Sequence, residues 1–294
     1  MPDTETPKGW RIAIISMVPP VVVPLIAQLR ELGHEPVAWL IARRKESDER
    51  SLPPWGEITD SMAPSGVSLL FARDKHAVAP LLRGLEPDLV LCWGFGWKLP
   101  QEALDVPRLG SVNHHPALLP RHRGPIPLSW ALREGDGQFG MTWHRMDAEL
   151  DTGAILAQKT IPIEDDWTTI EEMGPSLIQG AFDLLPRVLE RLAANDPGDS
   201  QPTEGVSWAG YFDEDYATID WSKPRHEIHN QVRAWHLSFD GGPVKGPIAE
   251  LDGKRVKVNR TSLSDLGDGS QAVEVADGKI WILESEPFET GSPA

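Results

Sequence analysis

The amino-acid sequence predicts an α/β protein with a Rossmann-like parallel sheet, followed by a small β-rich domain of the OB-like barrel type. Three observations carry this. "RIAIISM" (11–17), "VPLIAQLRELGH" (23–34) and "EPVAWLIA" (35–42) read as strand, helix and strand, and a βαβ unit places its strands in parallel. "DLVLCWGF" (88–95) is an unbroken apolar run, as expected of a strand buried on both faces. Beyond "NDPGDSQP" (195–202) the pattern shifts to short strands split by Asp-Gly pairs. The expected domains are residues 1–195 and 203–294.

The elements follow in order. The first helix ends at Gly33, a residue suited to a helix stop. Val18-Pro19-Pro20 stands where a dinucleotide-binding G-x-G-x-x-G turn belongs, which argues against such a site. Residues 43–60 mix Arg43, Arg44, Lys45 and Arg50 with Glu46, Asp48 and Glu49, and read as a polar surface loop. "HAVAPLLRGL" (76–85) is a short helix, and "GSVNHH" (110–115) a short strand. A helix near 127–134 and a strand near 140–146 come next. Residues 170–195 carry apolar side chains at helical spacing, with Gly174-Pro175 expected to break the first turn. In the last part, Asp252-Gly253 and Asp277-Gly278 are expected hairpin corners.

Composition narrows the function. The formal net charge is -16, with 18 acidic against 9 basic residues over 195–294. Such a surface gains little from counterion release on a phosphate backbone, so nucleic acid is not the expected partner. A single cysteine, Cys92, excludes an intramolecular disulfide and any multi-cysteine zinc site. "MPDTETPKGW" lacks an apolar signal core, and no segment approaches the roughly 20 apolar residues of a membrane span. A cytoplasmic protein is expected. Nothing here sets an oligomeric state.

The chemistry concentrates at three places: Asn113, His114 and His115 at the end of an apolar strand, the loop "WGFGWKLP" (93–100), and "MDAELDTG" (146–153) after the strand "GMTWHR". Ligands of open α/β sheets sit beyond the carboxyl ends of strands, so the three are expected to share a crevice. An amide N–H and an imidazolium stabilise a developing oxyanion, and a carboxylate steadies the imidazolium and takes a proton. No nucleophile elbow is present, which favours direct acyl transfer through a tetrahedral intermediate. His114, His115, His122 and Asp151 also have metal-ligand chemistry. Adjacent histidines on a strand point to opposite faces, however, so no metal is expected.

These motifs resemble one family. "NHHPALLPRHRGPIPLSWAL" is similar to the N-x-H-x-S-L-L-P-x-x-R-G-x-x-P segment of formyltransferases that use 10-formyltetrahydrofolate, and "GMTWHRMDAELDTGAIL" to their G-V-T-x-H-x-M-D-x-x-x-D-T-G segment. Asn113 and Asp151 lie 38 residues apart, as in methionyl-tRNA formyltransferase relatives, and "ATIDWSKPRHEIHNQVRAW" (217–235) resembles the start of those relatives' C-terminal domain. The resemblance implies that Asn113 and protonated His115 bind the formyl oxygen while Asp151 supports His115 and helps deprotonate the attacking amine. It makes His114 a spacer facing away and the helix 176–194 a scaffold. It implies that the pterin ring of 10-formyltetrahydrofolate lies against Phe95, Gly96, Trp97, Leu99, Met146 and Asp147. Lys98 stands where an apolar residue is more usual.

The sequence departs from the tRNA enzymes in two respects. Their basic loop after the second strand is replaced by the mixed-charge "ARRKESDERSLPPWGEITD", and their basic C-terminal domain by an acidic one whose only basic stretch is "GKRVKVNR" (253–260). The expected acceptor is therefore a small-molecule amine, such as an amino sugar nucleotide or a hydroxylated ornithine-type side chain. Methionyl-tRNA is the alternative. A folate-binding homologue without turnover and a formate-releasing hydrolase share the same site residues.

Overall fold

A computed structural model describes residues 9–42, 62, 65–238 and 244–288. The polar loop expected over 43–60 lies outside them. The elements in chain order are β1 (Arg11–Ser16), α1 (Pro19–Glu31), β2 (Glu35–Ala42), β3 (Ser68–Ala72), α2 (Val78–Leu85), β4 (Leu89–Trp93), α3 (Gln101–Leu104), β5 (Ser111–His115), α4 (Pro127–Arg133), β6 (Gln138–Arg145), β7 (Ile155–Pro162), α5 (Ile170–Ala193), α6 (Arg225–Leu237), β8 (Ile248–Leu251), β9 (Lys254–Ser262), β10 (Gln271–Val275) and β11 (Gly278–Pro287).

β1 to β7 form one sheet in the order β3-β2-β1-β4-β5-β6-β7. β1 to β5 pair in parallel. β6 reverses and pairs antiparallel to β5, so the sheet is mixed. The chain winds from β1 outward to β3, then crosses to β4 on the other side of β1, which is the topological switch point where α/β sheets hold ligands. β4 reads as an apolar run because all five of its residues are buried. A core of Ala13, Ile15, Leu40, Val90, Cys92 and Leu99 lies on one face of this sheet. β8 to β11 form a separate antiparallel sheet, in the order β10-β11-β9-β8.

Two compact units emerge, each from discontinuous segments. The first comprises residues up to His115, Thr142–Lys159 and Ala181–Pro202. The second comprises Pro116–Met141, Thr160–Gly180 and the chain from Thr203 onward. The second unit's own core gathers Ile219, Ile228 and Val232 with Ala249, Val258, Ile280 and Ile282 from its four-stranded sheet.

Several local readings are corrected. α1 begins at Pro19, four residues before the predicted start, because prolines at the first two helical positions have no needed N–H to lose. Gly174-Pro175 does not break α5, which runs unbroken from Ile170 to Ala193. Its start is secured by a capping box: Glu172 Oε2 accepts the Thr169 amide at 3.0 Å while Thr169 Oγ1 accepts the Glu172 amide at 3.4 Å. Met173, Ala181, Leu185, Val188 and Leu192 then bury an apolar stripe, and each large aliphatic side chain so placed is worth about 1.5–3 kcal/mol. That exceeds the one hydrogen bond Pro175 omits.

Asp252 and Gly253, at φ 50° and 72°, form the two-residue corner between β8 and β9 as expected. The other corner falls one residue earlier than predicted. Val275 pairs with Gly278, so Ala276 and Asp277 turn, and Asp277 Oδ1 accepts the Arg225 amide at 2.7 Å at the start of α6. β3, α3, β7 and α6 are elements that the sequence reading does not contain. Among the described residues, no helix is long and apolar enough to cross a membrane.

Candidate active site

β5 and β6 build the site between them. Directly opposed residues of an antiparallel pair share a face, and the register sets Asn113 against His144 and His115 against Thr142. His114 pairs with Trp143 and points to the other face. On the first face, Asn113 Nδ2 lies 3.2 Å from His144 Nε2 and 3.5 Å from Asp151 Oδ1. The same Asp151 oxygen is 3.6 Å from His115 Nδ1 and 3.5 Å from His144 Nε2. One carboxylate oxygen thus meets an amide and two imidazoles, all with side chains at least nine-tenths withdrawn from solvent apart from the half-buried amide. His144 Nδ1 lies 2.8 Å from the Arg145 carbonyl and so carries a proton. In the neutral ring this leaves Nε2 as the acceptor for the Asn113 amide.

Asp151 does not arrive from a parallel strand end. β6 runs toward the Ser111 end of β5, where the Met146 amide donates to the Ser111 carbonyl at 2.8 Å. The loop 146–153 must therefore fold back to bring Asp151 to Asn113. Asp147 Oδ1 tightens it by accepting the Glu149 amide at 3.0 Å and the Thr152 hydroxyl at 2.6 Å. Asp151 itself adopts φ 57°, a left-handed conformation tolerated by aspartate better than by most residues. At Gly153 a Cβ would stand 1.8 Å from the Arg145 carbonyl oxygen, so no side chain fits there. The Asp-Thr-Gly run is thus explained by backbone packing as well as by the carboxylate.

His114 is 3 % exposed, with neither ring nitrogen hydrogen-bonded. It packs 4.0 Å from Trp93 and 5.2 Å from Trp143 between ring centroids. Burial, and then the neighbouring His115 and His144, hold its pKa well below the ordinary histidine value. Cys92 pairs with Asn113 across β4 and β5, and burial, aided by the Asp151 charge, pushes its thiol up to about 12. A thiolate nucleophile is not available there.

The residues expected to face a pterin lie close by. Phe95, Trp97 and Met146, all half-buried, pack on the core cluster that includes Leu99, with Phe95 edge-on to Trp97 at 5.4 Å. Gly96 and Asp147 are exposed, and Asp147 is engaged in its own loop. Lys98 ties this loop to the next one through an ion pair with Glu149 at 2.9 Å, a contact that sequence alone leaves unexplained.

Of the four candidate ligands, His115 and Asp151 meet, at 3.6 Å, while His114 lies on the other face of β5. His122 instead meets Glu134 and Asp136, with ligand atoms within 4.8 Å of one another. The Arg121 guanidinium already takes both carboxylates at 2.6 and 3.0 Å, which makes this an ion-pair network. Sequence reasoning missed His144. The signal was present in the alternation Thr142-Trp143-His144, whose even members share a face, but the partner of that face depends on register.

The sequence profile described as "Formyl transferase" matches residues 11–189. A methionyl-tRNA formyltransferase of Citrifermentans bemidjiense is 31% identical over 95% of this chain and 88% of its own length. That of Burkholderia vietnamiensis is 39% identical over 64% of this chain and 56% of its own length, so there the chain spans little more than half the relative. Among solved structures, HypX from Aquifex aeolicus in complex with tetrahydrofolic acid superposes with a TM-score of 0.67 at 19% identity, covering 95% of this chain and 44% of that one. The curated relatives overturn the expectation of a small-molecule amine acceptor and of no nucleic-acid partner, since they are methionyl-tRNA enzymes. A net charge of -16 does not govern every part of the surface. Exposed charges act over a screening length of about 8–10 Å, so a local contact does not report the sum.

Proposed function

The chain belongs to the formyl transferase family, and from that premise we propose that it transfers a formyl group from 10-formyltetrahydrofolate to the α-amino group of methionine carried on tRNA. The chain is a formyltransferase, and 10-formyltetrahydrofolate is its donor. The tRNA-borne acceptor is supported by one observation above others: the likeness to the Citrifermentans bemidjiense enzyme extends over 95% of the chain, not over the catalytic part alone. That acceptor would place the chain in the cytoplasm, where charged tRNA is found. We assign the chemistry to residues 1–195 and acceptor handling to 203–294.

The apolar surface of Phe95, Trp97, Leu99 and Met146 suits a flat heteroaromatic ring, with the exposed backbone of Gly96 between Phe95 and Trp97. Asp147 follows Met146 in the chain and would present its exposed backbone beside that surface. When bound, the donor supplies an activated one-carbon unit at the formyl oxidation level. The acceptor's amine lone pair forms the new C–N bond to give a tetrahedral intermediate, and the donor's C–N bond breaks as that intermediate collapses. Asn113 Nδ2–H and the His115 imidazolium hold the formyl oxygen as it gains negative charge. Asp151 stabilises that imidazolium and accepts the proton that the amine releases, directly or through water. The departing tetrahydrofolate nitrogen takes up the proton that Asp151 received, directly or through water, which restores the carboxylate and leaves a neutral formamide and neutral tetrahydrofolate.

The experiment is formylation of methionyl-tRNA with 10-formyltetrahydrofolate at low salt. Formyl-methionyl-tRNA should accumulate with release of tetrahydrofolate, and added salt should slow it steeply. A protein that formylates no charged tRNA at low salt would remove this acceptor.

A further inference from the structure

The segment 195–202, which reads in sequence as a featureless linker, is bonded at Asp196, Pro197 and Asp199 to the end of β6 and the start of β7. Arg145 donates to the Asp196 carbonyl at 2.7 Å and the Pro197 carbonyl at 3.0 Å. Asp199 and Ile155 exchange both amide-to-carbonyl bonds at 2.8 Å, as strands do. Arg191 anchors the segment from α5 through ion pairs with Asp196 at 2.6 Å and Asp199 at 2.8 Å. The last contact is the informative one. Gln201 Nε2 donates to the Asp151 carbonyl and to the Gly153 carbonyl, each at 2.8 Å.

We propose that Gln201 is a positioning residue for formyl transfer, holding Asp151 in the left-handed turn that aims its carboxylate at Asn113, His115 and His144. A side-chain amide has two N–H donors, and here both carbonyls flanking Thr152 lie within reach of one nitrogen. The two bonds fix the peptide plane that follows the φ 57° residue and the plane that follows Gly153. The carboxylate's distances of 3.5–3.6 Å to three partners depend on that backbone. Through these two bonds Gln201 acts on the loop backbone and not on Asn113 or His115. The proposal rests on the assignment of Asp151 to the reaction.

Gln201→Met keeps the length of the side chain and removes both donors. The expected result is a fall in kcat of about 10- to 100-fold, the usual scale for a catalytic group displaced by about an ångström. KM for both substrates should stay within about threefold, because the loop's bonds to substrate are not removed. Amide hydrogen exchange should accelerate over residues 146–155 and stay unchanged over β1 to β4. Unchanged kcat would overturn the proposal. So would equal losses in kcat and KM accompanied by faster exchange across the whole first unit, which would mark general destabilisation. If the wild-type protein formylates no charged tRNA, the acceptor assignment fails by itself, and the exchange arm still decides whether Gln201 orders the Asp151 loop.

Discussion

Asn113 and His144 face each other across the β5–β6 pair, with Nδ2 of the one 3.2 Å from Nε2 of the other. Because the Arg145 carbonyl holds the proton of His144 on Nδ1, the remaining nitrogen orients the Asn113 amide with its N–H groups toward the site. His144→Ala should therefore lower kcat by about 10- to 100-fold through a misaimed donor. His144→Gln, whose side-chain carbonyl also accepts, should recover part of that loss. Steady-state kinetics on both variants test this, and equal rates for wild type and His144→Ala would refute it.

Gly153→Ala should be costly in both stability and rate. The added Cβ would meet the Arg145 carbonyl oxygen at 1.8 Å and must displace one strand of the β6 loop. Overpacking of this kind costs about 1–3 kcal/mol. The midpoint of denaturant unfolding should fall accordingly, and formyl transfer should fall further than stability alone explains. Gly135→Ala, at a position with no atom within 4 Å of the new Cβ though with φ 71°, separates backbone strain from steric overlap.

His114 and His229 make stability depend on pH in the same direction. Burial holds His114 well below the ordinary value of 6.5 and His229 at about 4. His229 is buried as a neutral ring, placed 2.8 Å from the Thr261 hydroxyl and 2.9 Å from the Asp165 carbonyl. Both rings gain a proton more readily on unfolding. Each contribution is complete above pH 6.5; that of His229 is lost as pH falls from there toward 4, and that of His114 as pH falls through its lowered value. His114→Leu should flatten part of that slope and should raise stability near neutrality by about 1 kcal/mol, since it removes two unmet polar atoms. Its kcat should stay within about twofold, because the ring faces away from Asn113. Urea titrations at pH 7, 6 and 5 measure the slope.

Lys254 and Arg255 stand exposed at the start of β9, in the one basic stretch of the last hundred residues. Arg260, in the same stretch, is committed to Glu172 at 2.8 Å and Thr168 at 2.7 Å and is not free for phosphate. Lys254→Glu with Arg255→Glu should weaken tRNA binding and lower the salt dependence of log Kd by about one unit per lost phosphate contact. An unchanged salt slope would show that these two side chains do not meet the acceptor.

Much of the site was legible in the sequence because it depends on short-range pattern. The strand period placed His114 opposite in aspect to Asn113 and His115, and the apolar runs located β1, β2, β4 and β5. α5 was visible from its helical spacing. The proline at 175 misled, because packing of Met173 and the stripe beyond it outweighs one missing bond. The acceptor was misread for a related reason: net charge is a property of the whole chain, and contacts are local.

Sequence by itself determined which residues could do the chemistry: Asn113, His115 and Asp151, with Phe95 to Leu99 beside them. Their types and order along the chain make them candidates, and the resemblance to formyltransferase motifs singles out these three. Tertiary structure alone decided how they meet. The antiparallel turn of β6 set His144 against Asn113, the fold-back of 146–153 gave Asp151 its left-handed backbone, and a segment 50 residues on reached back through Gln201 to hold it. Register and long-range hydrogen bonds depend on what lies across the sheet, and no window of neighbouring residues contains that information.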